Sequence, residues 1–326
     1  MLYRRAADPR GRWSRIRVAW FVQRKTNMCA RRQVLGLLMS CCLLAAPVDD
    51  LAARVARKDL GQLYDRIAAD LTAGRPLVAT IYVALCDNDS QGIVKVRNRR
   101  ICRGDDPDRN LYWAAAGGLA ATLRAARWQR VLLERFDTGE LAVKAVWRKR
   151  LSPSGMLRSR GVTETFDAYI LGLGYRGAEI RKAMVGYLEA VNGDRTLQVC
   201  ADGAQLVGGG ASHLVGYIGH DYFYDVDDPQ PLWALREGVS TLQKGTFALS
   251  CTGHRLIRPA IRRLNAHILM LNRSLGFPGA WTAEALVTGI AAGRPARALY
   301  RSAASAFAAG RGVSLGVALA AFAYGD

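Results

Sequence analysis

The 326 residues hold no C-x-x-C pair, no P-loop and no aromatic RNA-binding signature. Gly208-Gly209-Gly210 invites a phosphate-loop reading, but no Lys-Ser or Lys-Thr follows it, so it reads as a flexible loop. Acidic residues are scarce: 27 Asp and Glu stand against 46 Lys and Arg, for a formal net charge of +19. Histidine is rarer still, at four. Long apolar runs are short as well. Val34 to Ala46 is too brief for a comfortable transmembrane helix, and a mean hydropathy near zero argues against a polytopic membrane protein.

What is present is globular composition, 50% hydrophobic and 22% charged, enough for one large domain or two ordinary ones. Residues 1–34 hold ten basic residues and one acid, Asp8, and so carry +9 of the net charge. The remainder is still basic. A basic surface fits nucleic acid, anionic lipid or an acidic substrate; without a supporting motif, nucleic acid is an unlikely partner.

Residues 1–27 read as a basic leader or an overrun of the true start at Met28. Residues 28–47 read as a secretory signal, with Arg31-Arg32 ahead of the apolar run. The paired arginines resemble a twin-arginine export signal. Leu38-Met39-Ser40-Cys41 looks like a loose lipoprotein box, which would anchor the chain to a membrane through Cys41. The expected location is therefore the periplasm or cell envelope.

From residue 48 onward, hydrophobic periodicity organises the chain. Leu51, Val55, Leu60, Leu63, Tyr64, Ile67 and Leu71 fall at helical spacing, and Gly74 and Pro76 end that helix. Leu77 to Leu85 is a continuous β-branched run, the pattern of a central strand. It ends in Cys86-Asp87-Asn88, polar groups that either border a cleft or cap a loop. Gly104-Asp105-Asp106-Pro107-Asp108 reads as a solvated turn, with Asp108 or Asn110 capping a helix from Leu111 to Ala126. Residues 128–136 and 141–150 read as a strand and an edge strand, 148–161 as an exposed loop, and 166–173 as a buried strand. Helices follow over 178–191 and, after Cys251, over 259–271. Residues 276–326 form an Ala-rich helical region. Strands alternating with helices imply an α/β sandwich with a mostly parallel sheet over 48–275 and a C-terminal helical appendage.

Two strands carry the chemistry. His213 to Gly219 ends at His220, and Thr246 to Ser250 ends at Cys251. Ligands collect beyond the carboxyl ends of such strands, and an imidazole beside a thiol can draw off its proton. The blocks Tyr217-Ile218-Gly219-His220 and Ala248-Leu249-Ser250-Cys251-Thr252-Gly253 resemble the caspase-like cysteine peptidases, the group of caspases, legumains and gingipains. The resemblance spans roughly residues 76–270 and is carried by these two blocks. It implies the caspase-like α/β/α fold, Cys251 as nucleophile and His220 as base. It also implies an oxyanion hole built from the Cys251 N–H and an N–H near Gly219 and Asp221. Asp221 departs from the family, which usually has Gly there.

The blander reading stands beside this one: a small buried cysteine and a hydrogen-bonded structural histidine. His254 is a backup base. Asp87 and Asn88 would border the cleft, and arginines at 97–103 would favour acidic substrates. Four cysteines lie beyond the leader, Cys86, Cys102, Cys200 and Cys251. In an oxidising compartment three pairings are open to them, and a Cys86–Cys102 bridge would leave Cys251 free. The expected function is an exported cysteine hydrolase acting on a peptide or protein substrate, with no metal or organic cofactor needed. The alternative is a non-catalytic exported or lipid-anchored binding protein on the same fold.

Overall fold

The computed structural model describes residues 60–92, 95–226, 240–274, 276 and 279–325. The leader and signal segments, the Cys41 box and the start of the first helix lie outside these residues. The chain divides at Ala45, and every described residue belongs to the second unit.

Helix α1 (Gly61–Thr72) buries Leu63, Tyr64 and Ile67 and hands the chain to β1 (Leu77–Ala84). Every residue of β1 is buried, as a strand covered on both faces must be. Burying each of its large apolar side chains stabilises the fold by roughly 1.5–3 kcal/mol, which places β1 at the centre. Next come α2 (Leu119–Ala125), β2 (Gln129–Arg135), β3 (Leu141–Leu151), the single turn α3 (Gly155–Arg158) and β4 (Phe166–Tyr175). Helix α4 (Ile180–Asn192) leads to the hairpin β5 (Thr196–Ala201) and β6 (Ala204–Gly209), then to β7 (Leu214–Ile218). Beyond β8 (Gly245–Leu249) lie the short turns α5 (Gly253–Leu256) and α6 (Arg258–Ile261), then β9 (His267–Asn272). Helices α7 (Trp281–Ala291), α8 (Ala296–Arg311) and α9 (Leu315–Ala321) precede β10 (Phe322–Ala323).

The main sheet has eight strands in the order β10-β9-β8-β7-β1-β4-β3-β2. The five from β9 to β4 run parallel, while β10, β3 and β2 are antiparallel to their inner neighbours. One face packs on α1, α2, α7 and α8 through Leu77, Ala79, Ile81 and Val83. The other packs on α4 and α6 through Tyr82, Ala84, Val215 and Tyr217. The β5–β6 hairpin covers the rest of that face, with Val199 and Leu206 against Val78, Tyr169 and Leu171. The architecture is an α/β/α sandwich on a mostly parallel sheet.

Several local expectations change. Residues 111–118 form turns and only Leu119–Ala125 is helical. The reason is Asn110, which ties the loop to the end of β1 rather than capping a helix. Its amide donates to the Cys86 and Arg103 carbonyls, both at 2.9 Å, and its carbonyl accepts from the Cys86 and Tyr112 amides at 3.0 and 3.1 Å. Strand β3 is interior and β2 is the edge. The loop expected over 148–161 contains the end of β3 and α3, whose Leu157 is fully buried. Residues 208–210 are not a flexible loop: Gly208 and Gly209 close β6 and all three are buried. Gly209 has a φ of 61° and a Cβ there would lie 2.1 Å from the Arg195 carbonyl, so only glycine fits. The helix expected over 259–271 is largely replaced by β9, with α6 covering just Arg258–Ile261. The C-terminal helices are present as expected, and β10 additionally joins them to the sheet edge.

Candidate active site

Strands β7 and β8 are parallel neighbours, with Ile218 opposite Leu249. His220 and Cys251 each follow two residues after that matched pair, so both emerge at the same carboxyl edge of the sheet. That is the placement expected from the sequence.

Cys251 is half-buried and free of any disulfide. Its Sγ donates to the Gly276 carbonyl at 3.5 Å, and no hydrogen bond joins it to His220 among the described residues. Burial pushes its thiol above the ordinary value; the Gly276 contact works against this and the nearby Asp221 adds to it. The resting thiol is therefore not self-activated and needs a base to ionise at neutral pH. Thr252, next in the chain, sits at a φ of 50°. Left-handed backbone at a β-branched residue stores strain. It is held by the Ser274 carbonyl, which accepts from the Thr252 amide at 3.2 Å, and by Tyr224, whose Oη accepts from Thr252 Oγ1 at 2.7 Å.

His220 is buried. Its Nε2 lies 3.0 Å from Asp225 Oδ1, and the same oxygen accepts the Gly92 amide at 3.1 Å. The Tyr224 ring stacks on the imidazole at 6.3 Å and stays 48% exposed, an aromatic surface beside the base. Tyr217 Oη donates to the His220 carbonyl at 2.7 Å.

Asp221 is fully buried and turned away from solvent. Its Oδ1 accepts the Phe223 amide at 3.1 Å, capping the 3-10 turn Tyr222–Tyr224, and Oδ2 faces Ser250 Oγ at 3.5 Å. Burial pushes its carboxyl up to about 7; the Phe223 and Ser250 contacts resist and the neighbouring Asp225 assists. The side chain that stands where the family usually has Gly thus points into the fold. The Gly219 amide is engaged with the Leu249 carbonyl at 3.2 Å and is unavailable to an oxyanion. Among the described residues the amides of Asp221 and Cys251 have no protein acceptor.

Asp87 and Asn88 serve their own loop. Asp87 accepts from the Asp89 amide at 3.0 Å and from Ser90 Oγ at 2.6 Å. Asn88 pairs with both backbone groups of Val96, at 2.8 and 2.9 Å. Asp87 also borders a cavity of about 330 Å³ with Asp89, Arg103, Asp105 and Arg176, which neither His220 nor Cys251 lines. Of the arginines expected to select acidic substrates, Arg103 lines that cavity and pairs with Asp105, while Arg99 pairs with the exposed Asp89. His254 makes no bond to Cys251 among the described residues; burial, then Arg258 and Arg273, push its imidazole down. The cysteine question resolves: Cys86 and Cys102 form a disulfide and Cys200 is free and exposed. No group of three or more metal-ligating side chains occurs among the described residues.

Asp225, Tyr224 and Gly92 carried no signal in the sequence. Asp225 returns to His220 only through the one-turn 3-10 helix, and Gly92 arrives from a loop 133 residues away. Comparison with protein-family models, curated proteins and solved structures gave no match.

Proposed function

We propose that this chain is an exported, caspase-like cysteine hydrolase acting on peptide or protein substrates. The observation that carries the reading is the juxtaposition of His220 and Cys251 beyond a matched pair on adjacent parallel strands. It is supported by the amides of Asp221 and Cys251, one beside each of the two side chains, which have no acceptor among the described residues. In this reading His220 takes the thiol proton and the Cys251 sulfur attacks the substrate carbonyl carbon. The amides of Cys251 and Asp221 hold the resulting oxyanion. The C–N bond then breaks, His220 returns the proton to the leaving amine, and water hydrolyses the thioester. The Cys86–Cys102 bridge supports export, because such bonds persist in oxidising compartments. Anchoring through Cys41 belongs to the same proposal.

A second reading, a binding protein that has lost the chemistry, is favoured by the bond from Cys251 to Gly276 and by the upward shift of its thiol. Alkylation of Cys251 against pH separates the two readings. Peptide mapping distinguishes it from exposed Cys200, and His220→Ala is the comparison. Reaction well below the usual thiol range of about 8.5, lost in the variant, supports the hydrolase. An inert Cys251 in both proteins supports the binding protein.

A further inference from the structure

We infer that Asp225 is the positioning residue that fixes the tautomer of His220, and that Gly92 sets the position of its carboxylate. The inference rests on the hydrolase reading only for its catalytic consequence. Imidazole Nε2 lies 3.0 Å from Asp225 Oδ1, and a carboxylate oxygen at that distance accepts a proton rather than offering one. The neutral ring therefore carries its hydrogen on Nε2 and leaves Nδ1 as the basic nitrogen, the one able to take the Cys251 proton. Three features hold the carboxylate in place. The 3-10 turn Tyr222–Tyr224, capped by Asp221, returns the chain so that Asp225 meets the Nε2 edge of the ring. The Gly92 amide donates to the very oxygen that meets His220, at 3.1 Å. A Cβ at residue 92 would lie 2.3 Å from that oxygen, so any side chain there displaces it. Gly92 itself lies in the loop closed by the Cys86–Cys102 disulfide.

Both donors converge on Oδ1, which gives the two obvious variants different outcomes. In Asp225→Asn the Gly92 amide keeps the side-chain carbonyl oxygen facing His220, so the tautomer is retained while the charge is lost. In Asp225→Ala both are lost.

Two-bond ¹H–¹⁵N correlation spectra of the ¹⁵N-labelled full-length protein read the tautomer directly, with His220→Ala assigning the signal. His213 is an internal standard, because its Nδ1 accepts from the Val78 amide and its Nε2 faces Asp70. The expected result is an Nε2–H ring at His220 in the native protein and in Asp225→Asn, and a mixed ring in Asp225→Ala and Gly92→Ala. Cys251 alkylation should then fall roughly 10- to 100-fold in Asp225→Ala. An Nδ1–H ring in the native protein, or a ring unchanged by Asp225→Ala, overturns the inference. A correct tautomer beside an unreactive Cys251 leaves the Asp225 assignment standing and removes the hydrolase reading.

Discussion

Asp221 should make the protein less stable as the pH rises through neutrality. Its carboxyl is sealed in the fold between the Phe223 amide and Ser250 Oγ, with Asp225 nearby, and it ionises near 7 instead of its ordinary 3.8. The folded state thus binds a proton that the unfolded state has released, and folding takes one up between those two values. Stability from this group is fully present below 3.8, declines as the pH climbs, and is lost above about 7. At pH 8 the ionised group costs the folded state about 4 kcal/mol. Asp221→Asn removes that cost. The amide oxygen still accepts from Phe223, and Ser250 Oγ can turn to accept from the new NH₂. With a urea m-value of roughly 2–3 kcal/mol/M, the variant should unfold at a midpoint higher by roughly 1–2 M at pH 8. At pH 4 the two proteins should nearly coincide. Comparing variant with native at each pH cancels the titrating groups that do not interact with Asp221. A variant no more stable than native at pH 8, or a difference independent of pH, would refute the burial argument.

Other consequences are as direct. The Cys86–Cys102 bridge spans 16 residues, so its reduction should cost about 3 kcal/mol, read as a fall in Tm in dithiothreitol that Cys86→Ala/Cys102→Ala reproduces without reductant. Lys244 is fully buried, donates to the Gly210 carbonyl at 2.7 Å, and is pushed down to about 8 by desolvation. The unfolded chain therefore binds the extra proton between pH 8 and 10.5, and native stability should rise across that window; urea titrations of Lys244→Met should lose the slope. A Cβ on Gly216 would lie 2.2 Å from the Phe247 ring. Gly216→Ala should cost about 1–3 kcal/mol and lower the Tm by several degrees in a calorimeter.

The parts of the fold legible in sequence were those whose local pattern and tertiary fate agree. Leu77 to Leu85 is apolar at every position but Thr80 because both faces of β1 are covered, and its β-branched content between Pro76 and the polar Asp87 favours a strand. The strands ending at His220 and Cys251 are legible for the same reason. Ile268-Leu269-Met270-Leu271 is also apolar but is short enough to suit either a helix or a strand. Only the open side of β8 decides it, and that is not local information. The β5–β6 hairpin did have a local marker in Asp202-Gly203, whose φ values of 51° and 72° fit the turn such pairs favour. At the site, the two reactive side chains follow from the ends of apolar runs. The groups that surround them do not: Asp225 and Gly92 reach the centre through turns whose course depends on packing.

The hairpin β5–β6 stands where a second helix would complete the outer layer of the sandwich. A two-stranded ribbon has little stability of its own and is secured here chiefly by Val199, Ala201 and Leu206 pressed on the sheet. That patch should be the soft panel of the molecule, opening before the parallel strands part and closing after they assemble. Hydrogen exchange would show its amides trading with solvent while β1 and β7 remain protected. Because the panel lies over the half of the sheet remote from the β7 and β8 tips, such breathing can proceed without disturbing His220 or Cys251.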